Sequence, residues 1–286
     1  MKKFRNIGLT GSYQDPRSLK TIEKIVAILS ELKMPLKLDQ KYIPELETFD
    51  IHQIKKHIDL LLIVGGDGSF LRGIRTIFDA SVSIPVLGIN CGRLGFLTDI
   101  SPDELEKSLT DILKKDEYLI EERTILELNG SSFHGSLTCL NDFVISDLSH
   151  EHMIDFKVNI NNINALEQRG DGLLIATPTG STAYALSAGG PVLDPLLDVQ
   201  LIVPLHAHSL SLRPLVIPSS QKVSFSCATR NQKNLKIIAD GQESIEIQSP
   251  AEFSICVQNK KIQMIHPLSY NFYTTLKKKL GWSFYT

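Results

Sequence analysis

The stretch Leu60-Leu-Leu-Ile-Val64, followed at once by Gly65-Gly-Asp-Gly68, constrains this chain more than any other. Five apolar residues without a polar break are the pattern of a strand covered on both faces, and Phe70, Ile74, Ile77 and Phe78 then recur at helical spacing. The glycines therefore sit between a strand's carboxyl end and a helix's amino end. There Gly65, Gly66 and Gly68 can take positive φ and let a ligand reach the main chain, where free N–H groups and the helix dipole favour an anion. This predicts a phosphate seat. Asp67 does not fit a seat that only holds phosphate, because its carboxylate repels the ligand unless a metal ion or a transferable proton lies between them. It is therefore the candidate chemical actor. In isolation Gly-Gly-Asp-Gly reads equally well as an ordinary turn; the strand-to-helix context selects the seat.

The same alternation runs through the first part of the chain. Phe4 to Thr10 reads as a strand, and a helix follows Asp15-Pro16 with Leu19, Ile22, Val26 and Leu29 on its apolar face. Leu36 to Leu38 reads as a short strand and Val82 to Asn90 as another, interrupted by Pro85. Ser101-Pro-Asp-Glu104 is a capping box with Pro at the first helical position, opening a helix that carries Leu105, Leu109, Ile112 and Leu113. Residues 1–115 are thus expected to form an α/β domain with a Rossmann-like, mostly parallel sheet, whose ligands collect beyond the strand carboxyl ends.

From Tyr118 the pattern changes to short β-rich runs: Tyr118 to Leu128, a hairpin signal at Asn129-Gly130, then Ser136 to Ser146, Asp155 to Ile160 and Leu173 to Ala176. Further runs cover Gln200 to Leu205, Pro214 to Ile217, Lys222 to Ala228, Leu235 to Ala239 and Glu252 to Ile265. Residues 116–268 are expected to be a mainly β domain, a β-sandwich. Phe272, Tyr273, Leu276 and Leu280 predict a helix within residues 269–286 that returns to the first domain.

Composition excludes several functions. A net charge of -2 gives no field for nucleic acid, and Lys277 to Lys279 reads as the solvated face of the last helix. No apolar run approaches the roughly 20 residues needed to cross a bilayer, and Met1-Lys-Lys-Phe-Arg5 leads into no signal-peptide core, so a cytoplasmic protein is expected. Cys91, Cys139, Cys227 and Cys256 form no Cys-x-x-Cys pair and read as reduced core thiols. His150-Glu-His152 misses the spacing of a helical zinc protease. There is no Gly-x-x-x-x-Gly-Lys-Ser/Thr loop, no Gly-x-Gly-x-x-Gly fingerprint and no Gly-x-Ser-x-Gly elbow.

A second constellation lies in Arg169-Gly-Asp-Gly-Leu-Leu-Ile-Ala-Thr-Pro-Thr-Gly-Ser-Thr-Ala-Tyr-Ala-Leu-Ser-Ala-Gly-Gly-Pro191. Hydroxyls at Thr177, Thr179, Ser181 and Thr182 surround Gly180 and lead into a short helix; Tyr184 offers an aromatic face. Asp171, between two glycines, can accept hydrogen bonds from ribose hydroxyls or an amide. A lone Thr-Gly-Ser-Thr reads better as a helix cap, and Asp67 together with Asn141-Asp142 shifts the weight to a site. A phosphate seat, an acidic residue and a sugar-reading pocket suggest phosphoryl transfer to a hydroxyl.

These blocks, together with Gly88-Ile-Asn-Cys-Gly-Arg-Leu-Gly-Phe-Leu-Thr98 and Ala239-Asp-Gly-Gln242, resemble the bacterial NAD kinases in order and spacing over nearly the whole chain. The resemblance implies transfer of the ATP γ-phosphoryl group to the 2′-hydroxyl of NAD's adenosine ribose, with a divalent metal ion, magnesium in the first instance. Asp67 matches the family's proton acceptor, and Gly68 and Arg72 match positions lining the same pocket. Asn141 and Asp142 match the pair that holds adenine and ribose, and His152, Arg169 and Asp171 fall on further dinucleotide contacts. Thr182, Ala183, Tyr184, Ala185, Leu186 and Ser187 match the wall against which NAD lies, and Gln242 matches a late contact. Ala207 and Leu212 depart from the family pattern. The resemblance also implies a homo-oligomer, dimer or tetramer. Gly-Gly-Asp-Gly alone is shared with lipid kinases, which are the rival enzyme reading; a dinucleotide-sensing regulator on a retired kinase scaffold is the non-enzyme one.

Overall fold

A computed structural model describes residues 4–12, 14–39, 48–49, 58–80, 82–92, 94–130, 137–149, 152–206, 211–227 and 234–282. The chain divides into two compact units, Met1–Glu122 with Ile262–Thr286, and Arg123–Lys261.

The first unit is a seven-stranded sheet with helices. Its chain path is β1 (Ile7–Gly11), α1 (Pro16–Glu31), β2 (Leu36–Asp39), β3 (Thr48–Phe49), β4 (Leu60–Val64) and α2 (Asp67–Asp79). It continues through β5 (Val86–Ile89), α3 (Leu105–Lys114) and β6 (Tyr118–Arg123). After the second unit the chain comes back with β19 (Ile262–Pro267) and α5 (Phe272–Leu280). The strand order is β3-β2-β1-β4-β5-β19-β6, and β1, β2, β3, β4, β5 and β19 pair in parallel. All five residues of β4 are buried, as its unbroken apolar run requires, and each such side chain contributes roughly 1.5–3 kcal/mol of burial.

Three local expectations shift. In α1 Leu19 is exposed and Ile25 is buried, because the packed face runs Ser18, Thr21, Ile22, Ile25, Leu29. Helix α3 begins at Leu105 rather than Pro102: Glu104 N–H donates to Ser101 O, so the capping-box residues form a turn ahead of the helix. Pro85 precedes β5, which starts at Val86, since proline cannot donate to the ladder.

The second unit contains β7 (Leu126–Asn129), β8 (Leu137–Cys139), β9 (Asp142–Asp147), β10 (Ile154–Ile160), β11 (Ile163–Gly170) and β12 (Gly172–Ala176). A 3₁₀ turn (Thr179–Thr182) and a short α4 (Tyr184–Ser187) follow. Then come β13 (Val199–Leu205), β14 (Leu215–Pro218), β15 (Val223–Cys227), β16 (Leu235–Ala239), β17 (Glu243–Ile247) and β18 (Ala251–Val257). Two six-stranded antiparallel sheets, β11-β10-β15-β18-β7-β8 and β14-β13-β12-β9-β16-β17, enclose one apolar core. Phe156, Phe225 and Phe253 stack through it at 5.7 and 4.8 Å.

The boundary expected at residue 115 falls at Glu122, and Ile262–Pro267, expected in the β-rich domain, is a strand of the first sheet. The runs Tyr118 to Leu128, Ser136 to Ser146 and Glu252 to Ile265 are each two strands belonging to different sheets. Turning between sheets leaves no periodicity signal, so one apolar run looks like one strand. The link from Asn129-Gly130 to β8 and the segment containing Ala207 lie outside the described residues.

Candidate active site

In the first unit the strand β4 ends at Val64 and the helix α2 starts at Asp67. Of the three glycines, only Gly65 uses positive φ, at 143°; Gly66 caps the helix in extended geometry and Gly68 lies within it. Asp67 stands half-buried in the first turn, where the helix dipole favours its negative charge.

Its carboxylate is tied to a loop about 30 residues further along. Phe96 N–H donates to Oδ2 at 2.9 Å and Leu97 N–H to Oδ1 at 3.0 Å, with the Thr98 hydroxyl at 3.4 Å from Oδ1. The loop in turn is held by Asn90, whose Nδ2 donates to Thr98 Oγ1 at 3.2 Å, and by Gly95 N–H donating to Thr98 O at 3.2 Å. Gly95 leaves room for this approach: a Cβ there would lie 2.0 Å from Asp67 Oδ1 and force it to shift. A carboxylate has about four acceptor sites, and these three bonds leave capacity for a substrate hydroxyl or a cation. Arg72, exposed on the next turn of α2, donates from Nη2 to Ser69 Oγ at 3.0 Å.

In the second unit the nominated residues gather where β9 begins and its neighbours β12 and β16 end. Ala176 pairs with Asp142, and Ala239 with Phe143. Asp240, in left-handed conformation at φ 52°, accepts from Asn141 N–H at 2.7 Å and from Leu140 N–H at 3.1 Å. Thr177 closes the other side, its N–H donating to Asn141 O at 2.8 Å and its hydroxyl to Leu140 O at 2.5 Å. Asn141 and Asp142 are both buried. Burial, with the Asp240 carboxylate beside it, pushes Asp142 up to about 7.

The hydroxyls around Gly180 mostly hold the turn together. Thr177 Oγ1 accepts from Gly180 N–H, Ser181 Oγ bonds Leu193 main chain in both directions, and Thr182 Oγ1 donates to Thr179 O. Thr179 Oγ1 is buried without a partner among the described residues. Of the wall residues, Ala185 is fully buried while Tyr184 is half exposed and presents its ring to solvent.

The remaining candidates lie at exposed positions. His152 precedes β10 in an exposed position, Arg169 is exposed on β11 opposite Asp155, and Gln242 is exposed on the turn between β16 and β17. Asp171 is also exposed, and His206 Nδ1 lies 3.1 Å from its Oδ2. Sequence reading assigned no role to His206, Asp240 or Phe96-Leu97-Thr98. The only signal for the last two was their place in the blocks Ala239-Asp-Gly-Gln242 and Gly88 to Thr98.

Among the described residues no three His, Cys, Asp or Glu side chains are grouped to hold a metal ion, and no helix is long and apolar enough to cross a membrane.

Comparison with known proteins gives consistent matches. The ATP-NAD kinase N-terminal domain matches residues 19–118, and the ATP-NAD kinase C-terminal domain matches residues 140–267. The NAD kinase of Alcanivorax borkumensis is 38% identical, over 99% of this chain and 95% of its own length. Two solved structures share the fold. A yeast NADH kinase complexed with NADH has TM-score 0.87 at 23% identity, covering 100% of this chain and 90% of its own. An NAD kinase from Archaeoglobus fulgidus in complex with ATP has TM-score 0.76 at 24% identity, covering 96% and 97%. None of these matches supports the lipid-kinase reading.

Proposed function

The chain belongs to the ATP-NAD kinase family, and from that premise we propose that it transfers the γ-phosphoryl group of ATP to the 2′-hydroxyl of the adenosine ribose of NAD, producing NADP and ADP. The ribose 2′-oxygen forms the new bond to phosphorus as the bond to the ADP oxygen breaks, and the hydroxyl proton passes to Asp67. The observation that carries this reading is a carboxylate locked by two main-chain amides at the amino end of a helix that otherwise suits phosphate. Phosphoryl transfer has a loose transition state, so alignment and charge neutralisation supply most of the acceleration, and a positioned base adds about 10²- to 10⁴-fold.

The main-chain amides at the start of α2 and the Arg72 guanidinium serve the phosphates. Asn141 and Asp142 read adenine and ribose, with His152, Arg169, Asp171, Gln242 and the Thr182 to Ser187 wall completing the dinucleotide site. Asp142 ionised is an acceptor for ribose hydroxyls, which ties NAD binding to its protonation state. A divalent metal would fit as a companion of ATP, since Mg²⁺ is typically bound through one or two carboxylates plus substrate phosphates, and Asp67 is the carboxylate at the seat that would face it. Bound there, it would supply neutralisation of phosphate charge. The active form is a homo-oligomer, which sedimentation of the purified protein tests directly.

Incubation with NAD, ATP and magnesium, read as NADP formation, tests the assignment. Asp67→Asn is the control that separates binding from chemistry: it is expected to keep NAD affinity and lose at least about 10²-fold in kcat. Wild-type turnover in that variant would remove Asp67 from the mechanism.

A further inference from the structure

The returning strand β19 lies between β5 and β6 and carries His266, whose side chain is almost completely buried. Its Nδ1 is 2.9 Å from Asp99 Oδ2 and its Nε2 is 3.5 Å from Glu121 Oε2 on β6. A carboxylate only accepts, so Nδ1–H is the donor to Asp99. The ring stacks on Tyr270 with centroids 3.9 Å apart. The other oxygen of Asp99, Oδ1, is buried with no partner among the described residues. The hydrogen bond from His266 is therefore what holds this carboxylate. Asp99 follows Thr98 directly, and Thr98, Leu97 and Phe96 are the residues that hold Asp67. Lys279 of α5 grips the same loop, its Nζ 5.7 Å from the Phe96 ring centroid.

Burying an imidazole beside two carboxylates is a poor way to gain stability, because apolar residues of similar volume would pack as well without the desolvation cost. What the arrangement does supply is one fixed orientation of the loop. We propose that His266 is a positioning residue for Asp67, acting through Asp99 and the main chain of residues 96–98. The proposal rests on reading Asp67 as the proton acceptor.

The test uses the full-length protein and three variants. His266→Phe keeps a ring against Tyr270 but leaves Asp99 buried and unpaired, so its Tm falls. Combining His266→Phe with Asp99→Leu removes both partners and restores Tm, which keeps the measurement on folded protein. In the double variant kcat is expected to fall about 10²-fold while KM for NAD and ATP stays within about threefold, because Asp67 is misplaced rather than substrate binding lost. The Phe96 and Leu97 amides, freed from Asp67, are expected to exchange with solvent about tenfold faster or more. His266→Asn, which still offers an N–H to Asp99, recovers part of kcat. A folded double variant with wild-type kcat and wild-type amide protection overturns the proposal, as does a loss that appears wholly in KM. Asp67→Asn, assayed in parallel, tests the base assignment separately: full activity there sinks that assignment, whereas the amide-exchange result decides the positioning role without reference to turnover.

Discussion

An alanine at position 95 would place its Cβ 2.0 Å from Asp67 Oδ1 and 2.5 Å from Thr98 Oγ1. Contacts below 3.0 Å do not persist, so the carboxylate, the threonine or both must retreat by about 1 Å. The backbone itself raises no objection, since Gly95 is not among the residues with positive φ. The perturbation is therefore aimed at the position of one carboxylate. Its hydrogen bonds from Phe96 and Leu97, at 2.9 and 3.0 Å, cannot both survive such a shift. A displacement of about 1 Å in a reacting group costs on the order of 10²-fold in rate, or about 2.7 kcal/mol of barrier. Overpacking at the loop adds about 1–3 kcal/mol of lost stability, which leaves most of the protein folded at assay temperature if its stability is ordinary. The assay is NADP formation at saturating NAD and ATP, with Tm measured on the same preparation. Gly92→Ala sets the baseline, because nothing lies within 4 Å of the Cβ it would add. Gly95→Ala is expected to lose about 10²-fold in kcat with KM within about threefold. A folded Gly95→Ala protein with kcat matching Gly92→Ala would refute the claim that the 95–98 loop fixes a catalytic carboxylate.

Asp142 titrates at about 7 in the folded protein against an ordinary 3.8, so between those values the native state holds a proton that the unfolded chain has released. The stability linked to this proton is present at acid pH and is lost as pH rises from about 4 to about 7. The Tm of Asp142→Asn relative to the unsubstituted protein should therefore climb across that window; a flat or falling difference would show that Asp142 is not strained as described. Asp240→Asn tolerates the left-handed backbone but weakens the charge-assisted bonds from Leu140 and Asn141, and is expected to cost about 1–3 kcal/mol in denaturant unfolding. The same variant should bring the Asp142 titration down, read by carboxyl-carbon NMR. Chelation with EDTA is expected to stop NADP formation while leaving the Tm of nucleotide-free protein unchanged; a chelator-induced drop in that Tm would reveal a structural metal.

Much of the architecture was legible in the sequence because periodicity is a local property. The unbroken run Leu60 to Val64 read as a doubly covered strand, the glycines after it as a turn into a helix, and Asp67 stood out because a carboxylate is wrong for a bare phosphate seat. The Thr177 to Ser187 block announced itself by composition in the same way. Other elements left weaker traces. Strand β11 was missed because it is an edge strand with almost every side chain exposed, so no alternation of apolar and polar residues marks it.

What the tertiary structure alone decided is who touches whom across long stretches of chain. Phe96 and Leu97 reach Asp67 from about 30 residues away, Asp240 holds Leu140 and Asn141 from about 100, and His266 meets Asp99 across 167. Those pairings follow from strand order, above all from a parallel sheet that takes β19 in beside β5 after the whole sandwich has been threaded between them. The spacing of residues along a strand or helix fixes which face each side chain shows, but not which distant segment will arrive to meet it. The carboxylate could therefore be picked out from its neighbours in sequence, while the amides and the histidine that set its direction could be found only once the chain had folded back.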